Sequence, residues 1–134
     1  AAADPDIDWT IAMMHHAPYS ASKHGSTDRL QEHWVPLFEA HGVDIVFSGH
    51  DHNYERSKPI RDGKIAAADT APVYVVAGAF YAPPYSNGKD WWTEVSVHGD
   101  KGNYVIMQVD GKTMHLKAYS GDGKETLDEL TFKR

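Results

Sequence analysis

Two short apolar runs, Asp8 to Met14 (DWTIAMM) and Val43 to Ser48 (VDIVFS), flank a single helical pattern, and that arrangement limits the possible folds more than any other feature of the chain. Strand, helix, strand within about 40 residues is the size of a crossover unit, and crossovers of this kind join parallel strands. In the first run Trp9, Ile11 and Met13 alternate with Thr10, Ala12 and Met14, which predicts a strand with at least one buried face. The stretch from His15 to Thr27 is rich in His, Ser, Pro and Gly and reads as a loop. Leu30, Trp34, Leu37 and Phe38 then fall at i, i+4, i+7 and i+8, one apolar helix face. Asp28 is the expected N-cap, with Gln31 as its capping-box partner, and Gly42 the expected stop. Pro36 lacks an N–H, so a kink or break is expected near Val35.

The pattern changes at Val73. Val73 to Val76, Trp91 to Val97, Tyr104 to Val109, Thr113 to Tyr119 and Thr126 to Phe132 are short strand-like runs. Asp110-Gly111 and Ser120-Gly121-Asp122-Gly123 separate the last three, which is hairpin chemistry. Pro59 to Pro72 and Pro83 to Lys89 read as exposed loops. The expected class is therefore α/β (α+β), a parallel β-α-β unit followed by antiparallel strands. Residues 1–134 form a single domain or a fragment of one, with the β-α-β unit at 8–58 and an antiparallel sheet at 73–134.

Composition removes several functions. No run of 18 apolar residues occurs, so no helical membrane span is expected. A net charge of −6 argues against nucleic acid held by bulk electrostatics, which needs a basic surface. A small phosphorylated substrate remains open, because bound metal ions can supply the positive charge locally. With no cysteine, disulfides and thiolate zinc sites are excluded and the redox compartment stays open. The opening Ala1-Ala2-Ala3-Asp4-Pro5-Asp6 has no basic region and no long apolar stretch, so it is not a signal peptide. A targeting segment is expected to have been removed or to lie upstream.

Histidine is the unusual count, nine in 134 residues. His15 and His16 follow the first predicted strand, and Gly49-His50-Asp51-His52-Asn53-Tyr54-Glu55-Arg56 follows the second. Loops at the carboxyl ends of parallel strands are where open α/β sheets place ligands, and neutral imidazole suits Zn, Fe and Mn. Gly49 is expected to let the backbone turn sharply so that His50 and His52 share a cavity. His-x-His alone is weak evidence. A metallo-β-lactamase-type site would continue to an Asp-His pair, whereas Asn53-Tyr54-Glu55 follows here. A cupin-type site would want a later Glu and a late strand His, a place that His115 could fill. His33, His41, His98 and His115 otherwise read as ordinary surface or core residues, and Trp91-Trp92 as an aromatic pair opening a strand.

Taken together, His15, the serine-rich loop with His24, the helix, Gly42-Val43-Asp44 and the Gly49 to Arg56 box resemble the second half of the calcineurin-like metallophosphoesterases. They are most similar to the purple acid phosphatase-like branch, whose Gly-His-x-His box commonly runs on into Tyr-Glu-Arg. The resemblance covers residues 8–56 strongly and 73–132 with less specific signals. It implies the C-terminal half of a β-sandwich flanked by helices and a dinuclear site of Fe, Zn or Mn. His15 and His50 are then ligands of one ion and His52 of the other. His24 resembles the loop histidine that contacts the phosphate and helps protonate the leaving group, and His16 is a second candidate for substrate binding. The implied reaction is in-line attack of metal-activated water on a phosphate ester, monoesters first and diesters second.

In that family the first half supplies an Asp, a Gly-Asp box and a Gly-Asn-His box. Only Asp4, Asp6 and Asp8 precede His15 here, in no such context, and Ala17 stands where Pro is frequent. The implied partner is a missing N-terminal half of the same enzyme, and the isolated chain is expected to be inactive or weakly active and to self-associate. The resemblance favours a periplasmic or extracellular location. The competing reading is a metal-binding or structural module without turnover.

Overall fold

Ile45 and Val46 are both fully buried although they point to opposite faces of one strand, so that strand must be covered on both sides. The computed structural model, which describes residues 4–134, shows what covers it. The strand is β2 (Ile45–Ser48), and β1 (Ile11–Met13) pairs with it in parallel. Between them lie α1 (Asp28–His33) and α2 (Val35–Ala40). The remaining strands are β3 (Tyr54–Ser57), β4 (Ile60–Arg61), β5 (Lys64–Ile65), β6 (Val73–Ala77), β7 (Thr93–Val97), β8 (Asn103–Asp110), β9 (Thr113–Ser120) and β10 (Thr126–Lys133). The first sheet has the order β1-β2-β6-β3-β7, the second β10-β9-β8, and β4-β5 is a separate hairpin.

Each face of the first sheet has its own core. On one side Val46 and Tyr74 join Tyr19, Val35, Phe38, Val43, Ile60 and Trp92 under the helices. On the other, Ile45, Val73 and Val75 meet Tyr54, Met114, Leu116, Ala118 and Phe132 from the second sheet. Period-two alternation alone sends Val73 and Val75 one way and Tyr74 the other. Each buried aliphatic side chain in these layers stabilises the fold by about 1.5–3 kcal/mol. The helix layer, the first sheet and the second sheet thus form a sandwich with helices on one side.

Several local expectations need correcting. The first strand covers only Ile11–Met13. Its inward face toward the helices carries Ala12 and Met14, while Ile11 is 41% and Met13 81% exposed. The helix breaks at Trp34, as Pro36 requires, since Pro sits comfortably only in the first turn of α2. Its N-cap is Thr27 without a side-chain bond, not Asp28, because Gln31 Nε2 instead donates to the Pro18 carbonyl at 2.8 Å. Within the span expected to be wholly antiparallel, β6 runs parallel to β2 and antiparallel to β3, and β7 also joins the first sheet. The stretch 59–72, expected as loop, contains the β4-β5 hairpin, turned by Asp62 and Gly63 at φ of 51° and 66°. Among the described residues no helix is long and apolar enough to cross a membrane.

Candidate metal centre

The two histidine segments meet because β1 and β2 are parallel neighbours that end at the same edge. Pairing continues beyond the strands, with Gly49 N–H donating to the His15 carbonyl at 3.0 Å. The sharp turn that follows is made at His50, not at Gly49. Asp51 N–H donates to the Gly49 carbonyl at 2.8 Å, and His50 between them has φ of +64°. A three-residue turn with positive φ is strained for any side chain except glycine. It turns the His50 ring toward His15.

His15 Nε2 and His50 Nδ1 lie 3.1 Å apart. Two imidazole nitrogens sharing one tetrahedral ion stand roughly 3.3 Å apart, given Zn–N arms of about 2.0–2.1 Å. The donor pair therefore fits a shared metal ion. His16 completes a group in which one ring nitrogen from each residue lies within 4.8 Å of the others. His24 reaches the same place from the serine-rich loop, its ring centroid 4.3 Å from that of His50. Partial burial, then the neighbouring His16, His24 and His15, push the His50 pKa below the ordinary imidazole value, against an opposing pull from Asp51. These neighbours favour the neutral, ligating form of His50.

His52 lies beside this group but outside it. Its Nδ1 donates to the Pro83 carbonyl at 2.7 Å, and its ring stacks on Tyr85 with centroids 4.1 Å apart. That bond fixes the tautomer and leaves Nε2 with its lone pair as an acceptor. Tyr85 also meets His24 edge-on at 5.4 Å. Nothing in the sequence pattern pointed to Tyr85, because it reaches the site from a distant loop with no periodicity of its own.

The carboxylates of the box serve other contacts. Asp51 and Glu55 are each 1% exposed. Ser20 Oγ donates to Asp51 Oδ2 at 2.6 Å and His24 N–H donates to Asp51 Oδ1 at 2.9 Å, so both Asp51 oxygens are engaged by the loop and neither joins the group of ring nitrogens. Glu55 accepts Ala21 N–H at 3.0 and 3.1 Å. Burial, with the nearby Asp51 charge added, pushes the Glu55 pKa up to about 7, although bonds from Ala21, Asn53 and Ser20 pull the other way. On the other face of β3, Tyr54 OH donates to Asp128 Oδ2 at 2.7 Å, and Arg56 pairs with both Asp128 oxygens at 2.5 and 3.1 Å. Tyr54 and Arg56 thus bind the two sheets together and do not face the histidines.

The cupin-type alternative is removed by position. His115 is on β9 in the second sheet, where its Nδ1 contacts Thr131 Oγ1 at 2.9 Å. An apolar cleft of about 510 Å³, lined by Ile11, Met13, Phe47, Val105 and Met107 among others, opens between the sheets. No titratable side chain lines it. It is not the chemical site.

Comparison with known proteins agrees with this geometry. The calcineurin-like phosphoesterase family pattern matches residues 3–54. An uncharacterised protein of Mycobacterium tuberculosis is 36% identical over 74 residues, 54% of this chain and 14% of its own length. Purple acid phosphatase 4 of Arabidopsis thaliana is 48% identical over 44 residues, 33% of this chain and 13% of its own. In structure, a purple acid phosphatase from yellow lupin (Lupinus luteus) seeds superposes with a TM-score of 0.72 at 22% identity, covering 94% of this chain and 25% of that one. GAP50, described as the anchor in the inner membrane complex of Plasmodium, gives 0.74 at 17% identity, covering 94% and 36%. The chain therefore spans a minor part of each relative's length.

Proposed function

We propose that this chain, which matches the calcineurin-like phosphoesterase family over residues 3–54 and is similar to purple acid phosphatases in sequence and fold, belongs to that branch and supplies the histidine half of a two-metal site that hydrolyses phosphate esters. The observation that carries the reading is the meeting of His15 Nε2 and His50 Nδ1 at 3.1 Å, with His16 and His24 beside them. His15 and His50 would hold one ion, and His52 Nε2 the other. Two such ions, of Fe, Zn or Mn, would supply positive charge for an in-line displacement at the phosphate. The carboxylates that complete such a site are assigned to another segment of the same enzyme, since Asp51 and Glu55 are bonded to the 20–24 loop and are not in the group of ring nitrogens.

The remaining roles belong to the loop. His24 is placed to hydrogen-bond a phosphate oxygen and to pass a ring proton to the leaving-group oxygen, for which imidazole is suited near neutral pH. His16, its ring centroid 4.1 Å from that of His50, is assigned a contact to the same phosphate. Phosphomonoesters are the first substrate class and diesters the second. A specific observation keeps a second reading in play: the same fold occurs in a protein described as an anchor, and fold does not dictate chemistry. Under that reading the histidines bind metal without turnover.

Turnover of a generic aryl phosphate separates the two. With zinc, manganese or iron, the 134-residue chain is expected to be inactive or far slower than the longer enzyme that carries the remaining ligands. Absence of turnover even in that longer enzyme would favour the anchor-like reading. Fast metal-dependent turnover by the chain alone, lost in His50→Ala, would instead mean that the site completes itself.

A further inference from the structure

Ser20 to His24 has no regular secondary structure, yet Ser20 is only 4% exposed. Ala21 and Ser22 are half-buried and Lys23 and His24 exposed, so the polar groups at the start of the loop must be satisfied by something other than water. Two carboxylates of the Gly49 to Arg56 box do this. Glu55 takes Ala21 N–H on both of its oxygens, at 3.0 and 3.1 Å. Asp51 takes His24 N–H at 2.9 Å, and its other oxygen takes Ser20 Oγ at 2.6 Å. Ser20 Oγ in turn accepts Ser22 N–H at 3.2 Å. Asn53 Nδ2, just before β3, donates to Glu55 at 3.3 Å and steadies it from the same segment.

The opposite side of the loop is clamped as well. Ser22 Oγ donates to the Ser86 carbonyl at 2.7 Å, and Lys23 Nζ stands 4.4 Å over the Tyr85 ring. Gly88 passes so close that a Cβ there would lie 2.5 Å from the Ala21 carbonyl oxygen. The loop is thus held between the box beneath it and the segment 85–88 beside it.

We infer that Asp51 and Glu55 are positioning residues, a two-carboxylate latch that fixes the 20–24 loop so that the His24 ring stays against His50 and Tyr85. Neither oxygen pair reaches the histidine group, so the latch acts on His24 through the backbone and leaves the ligating nitrogens alone. Carboxyl oxygens that accept backbone N–H bonds in a buried setting hold them more firmly than water would. Without them the loop would trade these bonds for water, and His24 would lose its fixed place. This rests on the phosphoesterase reading only for why His24 matters. The geometry of the latch stands independently.

The test uses the metal-free 134-residue chain, so it needs neither metal binding nor turnover. In histidine-labelled protein, contacts between the His24 ring and the His50 and Tyr85 rings are measured by NMR, together with exchange of the His24 amide hydrogen. Asp51→Ala is expected to abolish the His24 ring contacts and to speed His24 amide exchange about tenfold or more. Asp51→Asn, which keeps an acceptor oxygen in the same place, is expected to restore both in large part. Should Asp51→Ala fail to fold, Ser20→Ala with Glu55→Ala serves instead, and the same loss is expected. The proposal is overturned if the ring contacts and exchange rate persist in folded Asp51→Ala, or if Asp51→Asn behaves no better than Ala. A chain that passes this test while the longer enzyme shows no turnover would overturn the proposed function and leave the latch standing.

Discussion

At the residue scale, the site depends on which imidazoles share an ion. His15 and His50 meet at 3.1 Å, whereas His52 is engaged with Pro83 and Tyr85. His15→Ala and His50→Ala are each expected to weaken zinc binding by at least about 100-fold, more than the loss of an outer hydrogen bond to a ligand. His52→Ala should cost less than about tenfold in the isolated chain, because a lone histidine contributes little. Competition with a chromophoric chelator measures all three, and equal losses would place His52 in the same shell. Glu55 offers a different reading of the same neighbourhood. Its folded pKa is raised from 4.5 to about 7, so between those values the folded state holds a proton that the unfolded state has released. Its contribution to stability is therefore full at low pH and is lost as pH rises through that window, by at most about 3 kcal/mol. The stability difference between the native chain and Glu55→Gln should shrink accordingly from pH 4.5 to 7 in urea titrations. A difference that stays flat would show that Glu55 titrates normally.

At the element scale, the strand β3 serves two layers at once. Glu55 faces the loop above, while Tyr54 and Arg56 reach Asp128 of β10 in the sheet below. The side chains of Arg56 and Asp128 are only 10% and 6% exposed. Asp128→Ala would leave a buried guanidinium and a tyrosine hydroxyl without their acceptor. Breaking such a pair costs about 3–5 kcal/mol, and chemical unfolding would register it; a change under about 1 kcal/mol would mean that water reaches Arg56. This element also shows what a sequence can disclose. The strand runs, the split at Pro36 and the box at 49–56 follow from local periodicity and turn chemistry, and the structure has them within a few residues. That β6 lies parallel to β2, inside a span of hairpin-like signals, does not follow, because pairing partners are chosen by long-range packing. Nor does the turn at His50: glycine is the usual residue for φ above zero, yet here Gly49 continues the pairing to His15 and His50 takes the strain. Asp51 and Glu55 read as box residues of no stated role because their partners, Ser20, Ala21 and His24, are about thirty residues away.

At the scale of the whole molecule, the first sheet is closed on both faces but not along its edge. β1 is an outer strand of three residues, bonded among the described residues on one side only, by β2. Thr10 and Met14 turn their polar groups toward β2, with Asp44 N–H donating to the Thr10 carbonyl and Met14 N–H to the Phe47 carbonyl. Alternation then turns the N–H and C=O of Ile11 and Met13 outward. The side chains of these two residues are 41% and 81% exposed and line the apolar cleft that opens between the sheets. An uncovered edge beside uncovered apolar surface favours pairing with another strand. In a solution of this chain alone, the strand at hand is β1 of a second copy, related by a two-fold axis so that Ile11 and Met13 of each lie across from the other. Every few hundred Å² of apolar surface so covered is worth several kcal/mol at about 25 cal/mol per Å², before the cost of association. The opposing expectation is a monomer in which the short strand and its twist make the edge a poor template. Sedimentation across micromolar concentrations decides: a monomer–dimer equilibrium that Met13→Lys shifts toward monomer is expected, since a charge on an edge strand blocks pairing. A single monomeric species at every concentration, unchanged by that substitution, would show that the edge protects itself.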